Sequence, residues 1–484
     1  MGVGKDMDLG KRDVKIKTIH GTQYAYDMIS YWDKDQKKYR KKSVYLGKIT
    51  NAETKEYIPK VHKANESNQE LILNFGDTYS IAKVVENSVF YDCVKDILSK
   101  DYDTLMSLVC YKLLKSSSMQ YAQVWANGNY VSQMYKDADL SSQRISEFLK
   151  RLGKETVWRR FFKSYIGKLV SGKTGIIVDS TGLPNEIDFP LSAWGNHGGE
   201  SQRETRLLMV VDRVSGHPLY FSYKAGNIVD VSTLSNTIAE LAQMGVNTSF
   251  ALIDAGYYSQ SNIKELFEEK ISFLTRLPAG RVLHKTLIVE HSDGLEDAKN
   301  LVIYGKRALY VKRVPVDLFG YNGFAYIICD IKRKGNEITN LLISAKEDKL
   351  SDDEINEKIL SKGKLVIVSS EKIPTNEILP LYYTRQSAEN LFGVAKSSLD
   401  ILPVRTHSIE TFRGYLMLNF IALVAYIEIN KLLKSEFTVE GALLEMSNLM
   451  CKVFHDEFII CEPTKKMKRI ADLLHYMVPK KLGV

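Results

Sequence analysis

Two aspartates, Asp179 and Asp254, each follow a short apolar run, in the segments GIIVDSTG and SFALIDAGYYS. An unbroken apolar run of this length predicts a strand buried on both faces, and therefore a central place in a mixed sheet. Side chains at the ends of such strands are held rigidly while the following loop exposes them, which suits reactive groups. Aspartate is also a common turn residue, and Asp212 and Asp330 are rival strand-end acids. Both rivals lie in expected hairpins, where a turn or edge role is favoured.

A third acid stands in a segment with helical periodicity. At 100° per residue, Tyr382, Arg385, Glu389 and Lys396 fall within about 60° of one another and span about 21 Å of helix axis. This face presents one carboxylate with two cations and a phenol. A solvated charged stripe would have the same pattern. The opposite face is apolar and predicts docking on a sheet, through Ala388, Leu391, Phe392, Ala395 and Leu399.

The spacing of these four residues resembles the Tyr-Arg-Glu-Lys signature of one superfamily of DDE-type bacterial transposases, the insertion-sequence-four group. The segments IVDSTG and LIDAGYYS are similar to that family's first and second Asp motifs and occur in the same order. Some branches have Arg where Ala255 stands, so the chain looks closer to the sixteen-thirty-four-like branch. The resemblance covers about residues 170 to 430, whereas the N-terminal arm and the last fifty residues match only in general character.

The resemblance implies a ribonuclease H-like catalytic domain in which Asp179, Asp254 and Glu389 form the catalytic, metal-binding triad. It also implies that Tyr382, Arg385 and Lys396 hold DNA near the cleavage site. Relatives excise a mobile element bounded by inverted terminal repeats and insert it into target DNA. The expected partners are therefore double-stranded DNA and a second copy of the chain, in a homodimer that pairs two DNA ends.

Electrostatics supports a metal at such a triad. Three carboxylates brought to within about 4 Å would repel by several kcal/mol per pair, so some must protonate or bind cations. Oxygen ligands without His or Cys suit Mg²⁺, with Mn²⁺ as a substitute, better than zinc. Two such ions, about 4 Å apart, can serve both hydrolysis and joining by a DNA 3′-hydroxyl. The chain need supply no covalent nucleophile.

The rest of the chain is expected to position this core. The predicted class is α/β, with a mixed-sheet catalytic domain over residues 171–435 and an inserted β-rich segment at about 272–345. A helical, DNA-binding domain is predicted over 64–170, and a helical region over 436–484. The segment from Ser141 to Gly153 has one apolar face. It could read DNA, but this pattern favours a packing helix.

Nearly all of the net charge of +8 lies in residues 1–63, which hold 15 Lys plus Arg against 8 Asp plus Glu. This segment alternates apolar and polar positions and predicts a small antiparallel sheet. A basic region suggests a polyanionic partner, although a Lys-rich solubilising surface explains the charge equally well. The DNA-binding candidates in this region are Lys37, Lys38, Arg40, Lys41 and Lys42.

Composition excludes several classes. With 44% hydrophobic and 26% charged residues the chain is ordinary globular protein, and its five scattered Cys favour a reducing compartment. The first residues carry charges where a signal peptide needs an apolar stretch. The apolar segment from Leu416 to Ile429 contains Asn419 and Glu428 and predicts a buried helix, not a membrane span. These features predict a cytoplasmic protein, and the resemblance implies a bacterial one that associates with the nucleoid when bound to DNA.

Three alternatives stay open. A ribonuclease H-like nuclease would share the triad but cut without joining strands. A DNA-binding protein derived from a transposase would have lost catalysis. An unrelated α/β enzyme would use the same acids only as turn residues.

Overall fold

The computed structural model describes residues 14–33, 38–52, 54, 56–59, 71–185, 188–196, 201–228, 233–348, 351–402, 404–454 and 457–483. The chain divides into two compact units. The first comprises residues 1–71 with 454–456, and the second comprises 72–453 with 457–484.

The first unit contains an antiparallel sheet in which the strands follow chain order, as the alternating pattern predicts. Its strands are β1 (Val14–Ile19), β2 (Thr22–Asp33), β3 (Lys38–Asn51) and β4 (Glu56–Pro59). His20 and Gly21, with φ of 49° and 78°, form the two-residue turn between β1 and β2. Such a turn matches the twist of the paired strands. On one face, the Tyr45 ring packs against the rings of Tyr24 and Tyr26.

The second unit begins at Ile72, within strand β5 (Leu71–Asn74), and a group of helices follows. These are α1 (Gly76–Glu86), α2 (Tyr91–Ile97), α3 (Tyr102–Leu114), α4 (Ala122–Asn127), α5 (Val131–Met134), α6 (Ser142–Leu152) and α7 (Glu155–Leu169). Helix α6 buries Ile145, Phe148, Leu149 and Leu152, so the packing interpretation of this segment is confirmed for that face.

A mixed sheet forms the centre of the second unit. Its first elements are β6 (Lys173–Pro184), β7 (Ala193–Asn196), β8 (Ser201–Asp212), β9 (Pro218–Ala225), α8 (Leu234–Gln243), β10 (Asn247–Ile253), α9 (Gln260–Glu268) and β11 (Ser272–Arg276). β10 lies between β6 and β11 and is parallel to both, whereas β6 and β8 are antiparallel. The central position predicted for the two apolar strands is therefore confirmed. β8 and β9 form the predicted hairpin around Gly216.

The predicted β-rich insertion is not a separate sheet. It contains α10 (Val282–His291), β12 (Leu301–Tyr304), β13 (Arg307–Leu318), β14 (Tyr321–Asp330) and α11 (Ile331–Asp348), and is followed by α12 (Asp352–Ser361) and β15 (Lys364–Ser369). β15 pairs with both β14 and β11, so these strands extend the central sheet in the order β12-β13-β14-β15-β11-β10-β6-β8-β7. β-ladder hydrogen bonds at the open edge of β11 make this continuation possible.

The end of that segment is also corrected from strand to helix. In α11 the least exposed positions include Lys334, Ile338, Leu341 and Ala345. Their spacing of three or four residues is the helical period, and apolar residues such as Ile343 remain exposed on the other face.

The chain closes with α13 (Ile378–Tyr383), α14 (Gln386–Ser397), α15 (Ile409–Leu433), α16 (Val439–Ser447), β16 (Met450–Val453), β17 (Glu457–Ile460), α17 (Lys465–Leu473) and β18 (Lys481–Gly483). The last region was predicted as helical only, but three of its segments are strands that form a sheet with β5 in the order β18-β17-β16-β5. The sequence did not predict this sheet because β5 is distant in sequence from the strand with which it pairs. Helix α15 is long and apolar enough to cross a membrane, but most of its side chains are buried within the protein, as predicted.

Candidate active site

The two aspartates lie side by side because of the strand register. Val178 of β6 is paired with Ile253 of β10, so the next residues, Asp179 and Asp254, stand at the same level of the sheet. Asp254 follows the last residue of its strand, as expected. Asp179 does not, because β6 continues past it to Pro184 and pairs with β8, where Met209 lies opposite Asp179. The structure therefore places Asp179 inside a long strand, where pairing with β8 continues past it while pairing with β10 ends at Val178.

The third acid reaches the same place from a helix. The single helix predicted here is interrupted at Thr384 and Arg385, so Tyr382 belongs to α13 while Glu389 and Lys396 belong to α14. Helix α14 packs on β6 and β8. The buried face is the predicted apolar one, through Ala388, Leu391, Phe392 and Ala395. This docking directs Glu389 toward the aspartate pair.

Arg385 contacts all three carboxylates. Its Nη1 lies 3.1 Å from Asp254 Oδ1 and 3.5 Å from Asp179 Oδ2, and its Nη2 lies 2.7 Å from Glu389 Oε1. The side chain is 19% exposed, so this network is partly withdrawn from water. A planar guanidinium with five donors suits such multiple contacts better than an ammonium would.

The network lines an open cleft of about 570 Å³. Burial, reinforced by the charges of Asp254 and Glu389 and opposed by Arg385, raises the pKa of Asp179 to about 7. A carboxyl with a raised pKa in a cleft is characteristic of sites that hold a cation or transfer a proton. Ser180, Thr181, Arg276 and Lys396 also line this cleft.

Lys396 is fixed at the cleft wall by a residue that the sequence analysis did not single out. Its Nζ donates a hydrogen bond to Thr181 Oγ1 at 2.7 Å. Burial lowers the pKa of Lys396, while the negative charge of Glu204 opposes that shift. Thr181 stands two residues after Asp179 in the same strand, so its side chain points to the same face of the sheet. The two-residue period of the strand was the sequence signal that could have pointed to Thr181.

Glu204 is a second residue whose charge acts on this site and that the sequence did not point to. It is fully buried in β8. Its carboxylate is packed so closely against Gly182 and Gly195 that a Cβ at either glycine would overlap its oxygens. Arg206 Nη2 lies 3.9 Å from Glu204 Oε1. A buried carboxylate requires nearby positive charge, and Glu204 therefore links the sheet to Lys396 electrostatically.

Tyr382 is 7% exposed and does not line the cleft. Its ring lies 5.9 Å from the Arg385 guanidinium and 5.8 Å from the Tyr383 ring. Burial raises the pKa of its phenol. The Tyr382 ring therefore lies next to the Arg385 guanidinium but outside the cleft.

Neither rival acid lines the acidic cleft. Asp212 has the turn role that was favoured for it, whereas Asp330 ends β14, which pairs with both β13 and β15, and is followed by helix α11 instead of the expected hairpin. Asp212 accepts hydrogen bonds from the backbone and side chain of Ser215, both at 2.6 Å, and from Thr174 Oγ1. Asp330 pairs with Arg307 and accepts a hydrogen bond from the Arg333 backbone at the start of α11.

The basic residues of the first unit lie on β3, where Lys38, Arg40, Lys41 and Lys42 are exposed. Alternation along the strand places Lys38, Arg40 and Lys42 on one face and Lys41 on the other. Lys37 lies outside the described residues.

The donor types at the cleft fit a hard divalent cation, since all three acids are carboxylates. Within the described chain, no group of three His, Cys, Asp or Glu side chains already has a metal-site arrangement. Arg385 supplies the positive charge between the acids instead. Metal binding at this cleft would therefore require Arg385 to give up part of its contacts.

Comparison with known families gives the class of the protein. The model of the transposase DDE domain family matches residues 170–425, more than half of the chain. The chain therefore belongs to that family, whose members generally use divalent metal ions.

One solved structure resembles the chain only weakly. The cryo-EM structure of the piggyBac transposase synaptic complex with hairpin DNA aligns with a TM-score of 0.42 and 9% sequence identity, over 77% of this chain and 79% of that chain. No curated protein matches the chain.

Proposed function

We propose that the protein is a transposase that cuts DNA at the inverted terminal repeats of an insertion sequence and joins the released 3′ ends to target DNA. The observation that carries this proposal is the meeting of Asp179, Asp254 and Glu389 around Arg385 in one open cleft. Family membership supports it. The spacing of the four signature residues supports a ribonuclease H-like core of the insertion-sequence-four type, sixteen-thirty-four-like branch, working as a dimer in bacteria.

In this proposal the three acids hold Mg²⁺ or Mn²⁺, with two ions per site. The ions would lower the pKa of the attacking water or DNA hydroxyl and stabilise the leaving oxygen. Lys396, anchored by Thr181, would contact a phosphate of the bound strand, and Arg385 would balance the charge of the acids before DNA binds. Among the described residues that line the cleft there is neither Cys nor His, which agrees with direct displacement by water or DNA.

The function is tested by incubating the protein with supercoiled plasmid that carries its gene and flanking DNA, with Mg²⁺ or Mn²⁺, beside Glu389→Gln. We expect metal-dependent double-strand cuts at the flanks with wild type and none with the variant. A labelled target plasmid then reports strand transfer. Cutting without transfer would favour a nuclease, whereas binding of the flanks without cutting by either protein would favour a non-catalytic DNA-binding protein.

Lys396→Ala is expected to weaken DNA binding and to reduce the slope of log affinity against log salt by about one unit, because one phosphate contact is lost. The matched control is Lys364→Ala. Lys364 Nζ also donates to a hydroxyl, Ser292 Oγ at 2.6 Å, and burial also lowers its pKa, but it lies outside the cleft. Fluorescence anisotropy with end duplexes measures both slopes. Equal slopes for the two variants would contradict a phosphate contact by Lys396.

Arg385→Gln is expected to make the fold more dependent on metal. Without the guanidinium, the three acids repel one another and the metal-free protein loses stability. Differential scanning fluorimetry in EDTA and in Mn²⁺ should then show a lower melting temperature in EDTA and a larger rise on adding Mn²⁺ than in wild type. A rise no larger than that of wild type would show that Arg385 does not compete with metal.

A further inference from the structure

A second polar cavity lies in the same unit, between α3, α6, α15 and the segment that joins α14 to α15. Its volume is about 350 Å³, which is sufficient for a small phosphorylated ligand. None of the residues that line it lines the acidic cleft. Six Ser and Thr side chains line it, those of Ser117, Ser118, Ser142, Ser146, Thr406 and Thr411.

Lys112 supplies a buried cation to this cavity. The residue is 2% exposed, and its Nζ donates one hydrogen bond, at 2.9 Å, to the carbonyl oxygen of Asp400. The Tyr415 ring lies 5.6 Å from the ammonium. An ammonium has three donors, so within the described chain two of them have no acceptor. Burial lowers the pKa of Lys112 to about 8, although the charge of Asp400 opposes the shift.

Two further polar side chains at the cavity have no hydrogen-bond or ion-pair partner among the described residues. Thr406 is 7% exposed, and its Oγ1 has no hydrogen-bond partner among the described residues. Arg405 beside it is exposed and also lines the cavity, and none of the ion pairs among the described residues includes it. Helix α6 begins at Ser142, and the preceding Ser141 bonds Asp139 instead of capping it. Uncapped helix N–H groups carry a partial positive charge that attracts anions.

The backbone at Asp400, which also borders the cavity, is held in place by hydrogen bonds. Asp400 has a φ of 49°, and its carbonyl accepts hydrogen bonds from Lys112 and, at 3.1 Å, from Tyr415 Oη. Asp400 also lines the cavity, and its negative charge partly offsets that of the cations. The cations, the hydroxyl donors and the uncapped N-terminus of α6 together favour an anion in the cavity despite this one acid.

We propose that this cavity is a phosphate-binding site, and that the phosphate it takes is one of the DNA backbone at a distance from the acidic cleft. Arg405 at the rim meets the phosphate first, and Lys112, Thr406 and the first turn of α6 complete its hydrogen bonds. The choice of DNA as the source of the phosphate rests on the proposed function. A free phosphate or nucleotide has the same chemistry.

The test uses the full chain with Arg405→Gln, Thr406→Val and, as a matched control, Arg160→Gln. Arg160 on α7 is likewise exposed and without an ion pair in the described chain. Inorganic phosphate should raise the melting temperature of wild type and of Arg160→Gln above that in chloride of equal ionic strength. The rise should be lost in Arg405→Gln and reduced in Thr406→Val.

The second arm measures affinity for duplex DNA in EDTA. Arg405→Gln should reduce the salt slope by about one unit, while Arg160→Gln leaves it unchanged. Loss of the phosphate effect with an unchanged slope would support the phosphate site and assign it to a free ligand. An Arg405→Gln protein that keeps both the phosphate effect and the slope would overturn the site. Plasmid cleavage is scored separately, so failure of the proposed function is distinguishable from failure of this site.

Discussion

Asp179→Asn is expected to reduce metal-dependent DNA cleavage about a thousandfold or more while leaving DNA affinity largely intact. The change removes one charged ligand from the acidic cleft but keeps the size of the side chain, and the DNA contacts proposed for Lys396 are untouched. Cleavage of end-containing plasmid and anisotropy with an end duplex measure the two quantities separately.

Asp212→Asn is the matched control for this experiment. Asp212 is 8% exposed and Asp179 is 7% exposed, and both lie on the central sheet, but Asp212 closes a hairpin outside the cleft. We expect this variant to lose some stability and to keep its cleavage activity below its melting temperature. Cleavage by Asp179→Asn at the wild-type rate would refute the assignment of the acidic triad.

Gly414→Ala is expected to destabilise the second unit by about 3 kcal/mol or more. Gly414 of α15 and Gly153 at the end of α6 let the two helix backbones meet, and a Cβ at Gly414 would overlap the carbonyl oxygen of Leu149. Since that atom belongs to the backbone, the helices must separate and lose packing along their contact. Urea unfolding followed by circular dichroism measures the loss.

Gly167→Ala provides a control of opposite sign. Gly167 is an exposed residue of α7, and a Cβ there would meet no atom within 4 Å. In a helix interior, Ala is more favourable than Gly by about 1 kcal/mol, so this variant should be slightly more stable than wild type. If the two variants were equally stable, the close helix contact would not hold in solution.

Some features were predictable because they depend on neighbouring residues. The unbroken apolar runs before Asp179 and Asp254 predicted two central strands, and the single apolar face of α6 predicted a packing helix. In the segment from Leu416 to Ile429, the apolar run predicted a buried helix, and the polar residues within it argued against a membrane span. Each of these follows from local periodicity and side-chain polarity, which tertiary contacts reinforce.

Other features depended on partners that are distant in the chain. The strands of residues 301–330 join the central sheet through β15, and β5 pairs with the C-terminal strands, and neither pairing leaves a local signal. The same limit applied to the C-terminal region, where short strands of four residues resemble loops.

The sequence by itself determined which residue types are available for chemistry, in what order, and on which kinds of element they stand. Only the tertiary structure decided that Arg385 binds all three acids, that Thr181 anchors Lys396, and that Tyr382 is buried behind them. It also decided that Lys112 and Arg405, almost 300 residues apart, share a cavity. The physical reason is that periodicity specifies which face of an element is buried, whereas the pairing of one face with another depends on contacts summed over the whole fold.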